Sequence, residues 1–228
     1  MRSLKASSIQ VLCLLAPALL LHGCKTRDAA PPAPEIAAAV NEGPEWEKSA
    51  SSADLDRLNR VDQAWSEALA QAGKGASARS VRAEGNLLQP KSGLLRPQPS
   101  PGSYLCRLIQ LGSSSPRGRA YSASKESFCY VGVDETNRLW FAKQTGPRRR
   151  QGYLWEDDVS NRMIFLGGLA AGSADSPPAY GSDPARNIAG IFERIGPLRY
   201  RLVAPFPSSG GYKLEILELT PAPTQRDE

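Results

Sequence analysis

Histidine is nearly absent from this sequence: His22 is the single example among 228 residues. Ser-His-Asp and Cys-His catalytic systems use an imidazole as general base, so a chain that loses residue 22 lacks the base on which they depend. The usual zinc and copper sites, which rely on histidine and cysteine, are excluded in the same way. We therefore predict no catalytic residue, no metal ligand and no cofactor, and we expect a binding protein rather than an enzyme.

Long hydrophobic runs are also missing. The most apolar stretch, Val11–Leu21, covers 11 residues, which is too short to cross a hydrocarbon core about 30 Å thick. It follows Arg2 and Lys5, and a positive start before a short apolar run is typical of a secretory signal peptide. We predict that residues 1–23 are such a peptide and are removed on export, together with His22.

The end of this peptide, Leu21-His22-Gly23-Cys24, resembles a bacterial lipobox. The resemblance implies cleavage before Cys24, diacylglycerol on its sulfur and attachment of the protein to a membrane through this lipid. More than one acyl chain anchors a protein stably. An ordinary secretory signal with a coincidental cysteine is the alternative. Lys25 replaces the aspartate that signals inner-membrane retention in enteric bacteria. The expected location is therefore the outer membrane, facing the periplasm, with the Pro- and Ala-rich residues 24–48 as a tether.

Cysteine is scarce, and its four positions have separate uses. Cys13 lies in the predicted signal peptide and Cys24 in the lipobox, which leaves Cys106 and Cys129. A remaining pair in an oxidising periplasm is most simply a disulfide, and its spacing is unlike a redox C-x-x-C motif.

The charge excess is small. Lys and Arg number 28 and Asp and Glu 23, a net charge of +5, and loss of Arg2 and Lys5 with the signal peptide lowers it to about +3. Nucleic-acid binding requires a strong basic patch on one face, so we expect no nucleic-acid partner.

Residues 49–102 are predicted to form a helical segment and a loop that pack on the rest of the domain. Ser51 and Asp54 resemble a capping box, and apolar residues then recur every three or four positions from about Ala53 to Ala72. A shorter helix is expected from Ala76 to Leu88, and four prolines mark residues 89–102 as a loop.

The character of the chain then changes to β. About eight short strands, separated by turn clusters and without intervening helices, predict a mainly β domain over residues 103–221, with residues 222–228 as a tail. The expected strands are Tyr104–Leu111, Ser127–Val133, Arg138–Gln144, Gln151–Trp155, Arg162–Leu169, Ile188–Ile195, Leu198–Pro205 and Tyr212–Leu219. Short turns favour an antiparallel up-and-down, lipocalin-like barrel, preceded by one or two helices, with a two-sheet sandwich as the alternative.

Two groups of residues are candidates for ligand binding. Trp140, Tyr153 and Trp155 lie on adjacent predicted strands, where they line a ligand cavity or fill the core. Asp183 and Arg186 join two strands, and as a pair at a barrel mouth they suit a polar ligand or clasp the loop.

Charged residues supply two further hypotheses. Arg148-Arg149-Arg150 fits anionic lipid, lipopolysaccharide phosphate or an acidic partner, unless it is simply a solvated loop. The acids Glu193, Glu215 and Glu218 lie on predicted strands, and two of them converging in one pocket would suit a glycan hydrolase.

Much of the chain resembles a family of proteobacterial envelope proteins known as domain of unknown function 4893. The stretches that carry the resemblance are GSYLCRLIQLG (102–112), FC (128–129), FLG (165–167), YGSDPAR (180–186), AG (189–190), ERIGP (193–197) and RYRLV (199–203). With the helix around Trp65 the resemblance covers residues 46–221. It implies one envelope domain and supports the pairing of Cys106 with Cys129, and it implies no activity.

Three functions follow from these features. The first is a non-enzymatic envelope lipoprotein whose β-domain binds a small apolar ligand or a partner protein. The second is a carboxylate-dependent hydrolase of envelope glycans. The third is a structural or inhibitory module that uses its loops.

Overall fold

The structure, a computed structural model, describes residues 43–172 and 174–223. The predicted signal peptide, Cys24 and most of the tether lie outside the described residues, as does most of the predicted tail. Within the described part, none of the helices combines the length and the apolar character needed to cross a membrane.

In residues 43–101, four short helices precede the strands. They are α1 Glu45–Ser49, α2 Ser52–Asn59, α3 Val61–Ala72 and α4 Ala78–Ala83, with 3₁₀ turns at Gly75–Ser77 and Gly85–Leu88. The Ser51 side chain caps α2 by accepting a hydrogen bond from the Asp54 amide at 3.2 Å. The expected helix over residues 53–72 is thus two helices, because the backbone at Arg60 leaves the helical range, with φ −98° and ψ 18°.

The first helix corrects the predicted start of the folded domain. Trp46 on α1 is only 5% exposed, and its Nε1 donates a hydrogen bond to Asp157 at 3.0 Å. A tryptophan buried in this way belongs to the folded domain. Residues 45–48, which the sequence analysis includes in the tether, therefore form part of the folded domain.

Nine antiparallel strands follow. They are β1 Gly102–Ser113, β2 Tyr121–Ala123, β3 Ser127–Val133, β4 Leu139–Lys143, β5 Arg150–Glu156, β6 Met163–Leu169, β7 Asn187–Gly196, β8 Arg199–Pro205 and β9 Tyr212–Pro221. Each of β3 to β8 pairs with the next strand, and β9 returns to pair with β1, which also pairs with β3. Eight strands therefore close into the up-and-down barrel that the sequence predicts, and not into a sandwich. The three-residue β2, which pairs only with the second half of β1, was not predicted.

Side chains fill the middle of the barrel. The largest are aromatic: the Phe141 and Phe165 rings meet edge to face, and the Phe192 and Tyr200 rings stack, with centroids 5.9 and 5.6 Å apart. The predicted disulfide between Cys106 and Cys129 is present inside the barrel, with Cα atoms 5.9 Å apart. A small ligand therefore has to bind at an end or on the outer wall of this barrel.

The helices cover part of the outer wall. Trp65 and Ala68 of α3 pack on outward-facing residues of β1, β8 and β9, such as Ile109 and Ile216. At Gly112 a Cβ atom would lie 2.8 Å from the Ala68 Cα atom, so only glycine allows the helix this approach. Trp46 and Leu58 of α1 and α2 belong to a separate cluster over β6 and β7.

Candidate functional site

The apolar filling of the barrel gives way to charge at one end, where β4, β6 and β8 finish. Side chains alternate along a strand, so the inward positions after Phe141, before Leu154 and before Leu217 include Lys143, Arg150 and Glu215. All three are almost completely buried, with exposed fractions of 2%, 0% and 0%. Together with Arg148, which reaches the same carboxylate, we call them the cationic end.

Glu215 is the centre of the cationic end. Arg150 Nη2 donates a hydrogen bond to Glu215 Oε2 at 3.0 Å, and Gln110 Nε2 donates to Oε1 at 2.9 Å. Arg148 forms an ion pair with the same carboxylate, its Nε lying 2.7 Å from Oε1. Within the described residues, Nη1 of Arg150 has no hydrogen-bond partner. One carboxylate therefore serves two guanidinium groups and does not satisfy either completely.

Lys143 adds a third cation. Its Nζ donates hydrogen bonds to the carbonyl oxygens of Thr145 at 2.6 Å and Pro147 at 2.8 Å, beneath the β4–β5 loop. Burial, reinforced by the positive charges of Arg150 and Arg149, lowers the pKa of Lys143 to about 8. Burial alone disfavours the charged form of a lysine, and the two neighbouring arginines add to this effect.

A pocket of about 430 Å³ adjoins the cationic end, between the β4–β5, β6–β7 and β8–β9 loops. Its walls are mainly apolar, and its polar side chains are those of two arginines and one serine. The lining residues are Gly146, Pro147, Arg148, Leu169, Ala170, Ala171, Gly172, Ala185, Arg186 and Ser209. Apolar walls with a few placed polar groups are the usual composition of small-molecule sites.

The predicted pair Asp183 and Arg186 lies at this pocket. Arg186 Nε donates a hydrogen bond to Asp183 Oδ2 at 2.6 Å, and Asp183 Oδ1 accepts from the Ala185 amide at 3.1 Å. The pair therefore clasps the 3₁₀ turn Pro184–Arg186. A loop clasp is one of the two arrangements that the sequence analysis offers for these residues. Arg186 also lines the pocket, where its positive charge is already paired with the carboxylate of Asp183.

The predicted aromatic residues lie elsewhere. Phe141 and Leu154 take the inward positions on β4 and β5, so Trp140, Tyr153 and Trp155 face outwards. The expectation that they line a cavity or fill the barrel core is therefore corrected. Trp140 and Tyr153 are neighbours across the two strands.

These outward rings form part of a larger surface, the outer aromatic face, made of Phe128, Tyr130, Trp140, Tyr153 and Trp155. Its most exposed member is Phe128, at 55%. The Trp140 ring lies against Gly132, where a Cβ atom would be 2.4 Å from the ring, and the ring centroid is 5.5 Å from that of Tyr130. The Arg138 guanidinium stacks on Tyr153, with its carbon 3.9 Å from the ring centroid.

The three acids that were candidates for a hydrolase are separated by the barrel wall. Glu215 points inwards, whereas Glu193 and Glu218 lie on the outer face. Glu193 forms an ion pair with Arg201 at 2.7 Å, and Glu218 binds Arg107 and Arg199. Arg201 lies between Glu193 and Glu218 in the sheet, and each of the three acids contacts at least one arginine. The three carboxylates therefore do not converge in one pocket. In the described residues, no three Asp, Glu, His or Cys side chains are grouped so that they could hold a metal ion.

Comparison with curated proteins and with solved structures finds no match. A family model described as a domain of unknown function, DUF4893, matches residues 46–219. This match spans the helices, the barrel, the disulfide and the cationic end. The chain therefore belongs to the DUF4893 family.

Proposed function

We propose that this protein is a non-enzymatic binding module of the cell envelope, and that its ligand is a small apolar molecule bearing one acidic group. One observation carries the proposal: the barrel ends in two buried cations, the partly exposed Arg148 and one buried carboxylate, directly beside an apolar pocket. The pocket accommodates the apolar body of the ligand, and Arg148 and Arg186 are placed at its wall to bind the acidic group.

The electrostatics of the cationic end favour an anion. A buried charge is costly unless it is paired, and Glu215 is the only acid among the four groups of this cluster. A bound carboxylate or phosphate would supply the missing negative charge, and guanidinium groups bind both through paired hydrogen bonds. An uncharged ligand of the same shape gains only the apolar contacts.

The proposed setting is the periplasmic side of the outer membrane. Lipid on Cys24 and the tether would hold the barrel close to a membrane surface, where amphiphilic acids are concentrated. This part of the proposal depends on the N-terminal sequence alone.

Titration of the purified protein with decanoate and with decanol tests the proposal. Decanoate should raise the Tm and bind with a measurable heat, whereas decanol, which has the same chain without the charge, should bind at least about tenfold more weakly, as expected for the loss of one charge-assisted contact. Arg186→Met should weaken decanoate binding by a similar factor. Arg79→Met is the matched control, because Arg79 is an exposed arginine on α4, away from the pocket.

Equal affinity for the acid and the alcohol would show that the arginines do not recognise the ligand. Unchanged decanoate binding by Arg186→Met would move the site away from this pocket. Turnover of a glycan or ester substrate would replace the proposal with the hydrolase.

A partner protein is the second candidate, and the outer aromatic face favours it. Exposed clusters of large rings are typical of interaction surfaces. Phe128 lies on β3 and Trp140 on β4, whereas α3 covers β1, β8 and β9. A partner on this face would leave the barrel-end pocket free, so the two functions make different residues essential.

A further inference from the structure

A second pocket, unrelated to the cationic end, lies on the outer wall of the barrel. It has a volume of about 230 Å³ and lies between α3, the β5–β6 loop and the outward-facing side chains of β7 and β8. We call it the outer groove and define it by Asp62, Trp65, Lys91, Arg162, Glu193 and Arg201. Its size suits a molecule much smaller than a typical drug-sized ligand.

Arg201 is the fully buried cation of the outer groove. Its Nε donates a hydrogen bond to Glu193 Oε2 at 2.7 Å. Its Nη1 donates to the carbonyl oxygens of Leu87 at 3.0 Å and Gln89 at 2.7 Å, and its guanidinium carbon lies 5.0 Å from the centroid of the Trp65 ring. These contacts hold the guanidinium in one orientation.

The Nη2 atom of Arg201 has no hydrogen-bond partner in the described part of the chain, although it is buried. A buried donor on a charged group is costly to leave unpaired, and native proteins rarely do so without a ligand, an ion or water in place. Since Nε and Nη1 are already occupied, Nη2 is the atom of Arg201 that remains to bind something in the groove.

Groups of both signs surround the groove. Arg201 is paired with Glu193, and Arg162 with Asp157. The remaining pair of opposite charges consists of Lys91 and Asp62, and both side chains are exposed. A balanced site of this kind does not select a simple anion. It suits a ligand that carries a carboxylate and an ammonium group together.

We propose that the outer groove binds a free amino acid, with its carboxylate on Arg201 Nη2 and Lys91 and its ammonium group on Asp62. The Trp65 ring, beside the same guanidinium, provides an apolar wall for the side chain. This site is independent of the proposed acidic ligand at the barrel end, because the two pockets share no lining residue.

Isothermal titration of the full-length protein in detergent with each of the common amino acids tests the proposal. At least one amino acid should bind with one-to-one stoichiometry, and acetate, which lacks the ammonium group, should bind about tenfold more weakly or not at all. Asp62→Asn and Lys91→Gln should each reduce the affinity about tenfold. Both positions are exposed, so these variants should keep the wild-type Tm.

Asp56→Asn is the matched control, since Asp56 is an exposed acid on the neighbouring α2 and does not line the groove. Arg201→Gln should abolish binding, and the exposed variants decide the question if this one does not fold. Absence of binding by every amino acid at millimolar concentration overturns the proposal. Equal binding of acetate, or binding that Asp62→Asn and Lys91→Gln leave intact, also overturns it.

Discussion

Lys143 and Arg150 show how a charged side chain becomes part of a barrel interior. Each occupies an inward position in phase with apolar residues of its own strand, Phe141 on β4 and Leu154 on β5. Their long aliphatic stems pack like apolar side chains while their polar ends reach the barrel end. The Lys143 ammonium group is therefore buried at a cost that depends on pH.

This cost predicts how stability varies with pH. The pKa of Lys143 is about 8 in the folded protein, against an ordinary value of 10.5, because of burial and the nearby Arg150 and Arg149. Between pH 8 and 10.5 the unfolded chain binds more protons at this group than the folded one. The free energy of unfolding should therefore gain up to ~1.4 kcal/mol per pH unit from Lys143 in this window.

Denaturant unfolding of the wild type and Lys143→Met between pH 7 and pH 10 measures this contribution. The wild type should gain stability relative to the variant as the pH rises above about 8. Lys125→Met, a change at an exposed lysine, should follow the wild-type curve. Parallel curves for the wild type and Lys143→Met would mean that Lys143 does not lose its proton in this range.

Among the elements, β1 and β3 are joined by the disulfide as well as by backbone hydrogen bonds. Cys106 and Cys129 are diagonal neighbours, since Cys129 is opposite Tyr104 and Cys106 is opposite Ser127. Both sulfurs are buried, with the residues 1% exposed. Reductants should therefore reach the bond only when the barrel opens.

The double variant Cys106→Ala/Cys129→Ala should be less stable than the wild type. Closing a loop between residues 23 apart removes conformational freedom from the unfolded chain worth roughly 3 kcal/mol. For a domain of this size that corresponds to a fall in Tm of roughly 6–12 °C. Calorimetry measures it, and an unchanged Tm would assign the stability to strand pairing and packing alone.

The strands were more predictable than the helices. Turn clusters such as residues 134–137 separate the strands clearly, and apolar residues recur at every second position along β8, where Tyr200, Leu202 and Ala204 lie in the barrel interior. By contrast, β2 has only three residues, which is too short for an alternation of apolar and polar side chains to be recognised. The apolar spacing also continues across Arg60, so it could not reveal that the helix is interrupted there.

The candidate site was only partly visible in the sequence. Asp183 and Arg186 are close in the chain and their pairing could be predicted, and the phase of Lys143 with Phe141 could have indicated an inward lysine. The role of Glu215 could not be predicted, because only the closure of the barrel brings β9 close to Arg150 at the start of β5. Trp140 and Phe141 are adjacent, so one had to face outwards, and local sequence does not decide which.

At the scale of the whole molecule, the barrel and the N-terminal segment have separate roles in the proposal. The barrel provides the pockets, and Cys24 is proposed to provide the membrane anchor. Cys24→Ser should therefore abolish acylation and leave the protein uncleaved or soluble, as fractionation and mass spectrometry would detect. Cys13→Ser is the matched control, because Cys13 lies in the predicted signal peptide. A Cys24→Ser protein that still fractionates with membranes and has the wild-type mass would contradict the lipid anchor.

The central claim is that an acidic apolar ligand binds at the cationic end of a filled barrel. Backbone NMR spectra recorded during a titration with decanoate test it most directly, because each amide reports its own surroundings. Shifts should saturate together in the loops at residues 144–149, 170–186 and 206–211, with little change at Trp140 or Trp65. Saturating shifts on the outer aromatic face or in the outer groove instead, or no saturating shifts at all, would contradict it.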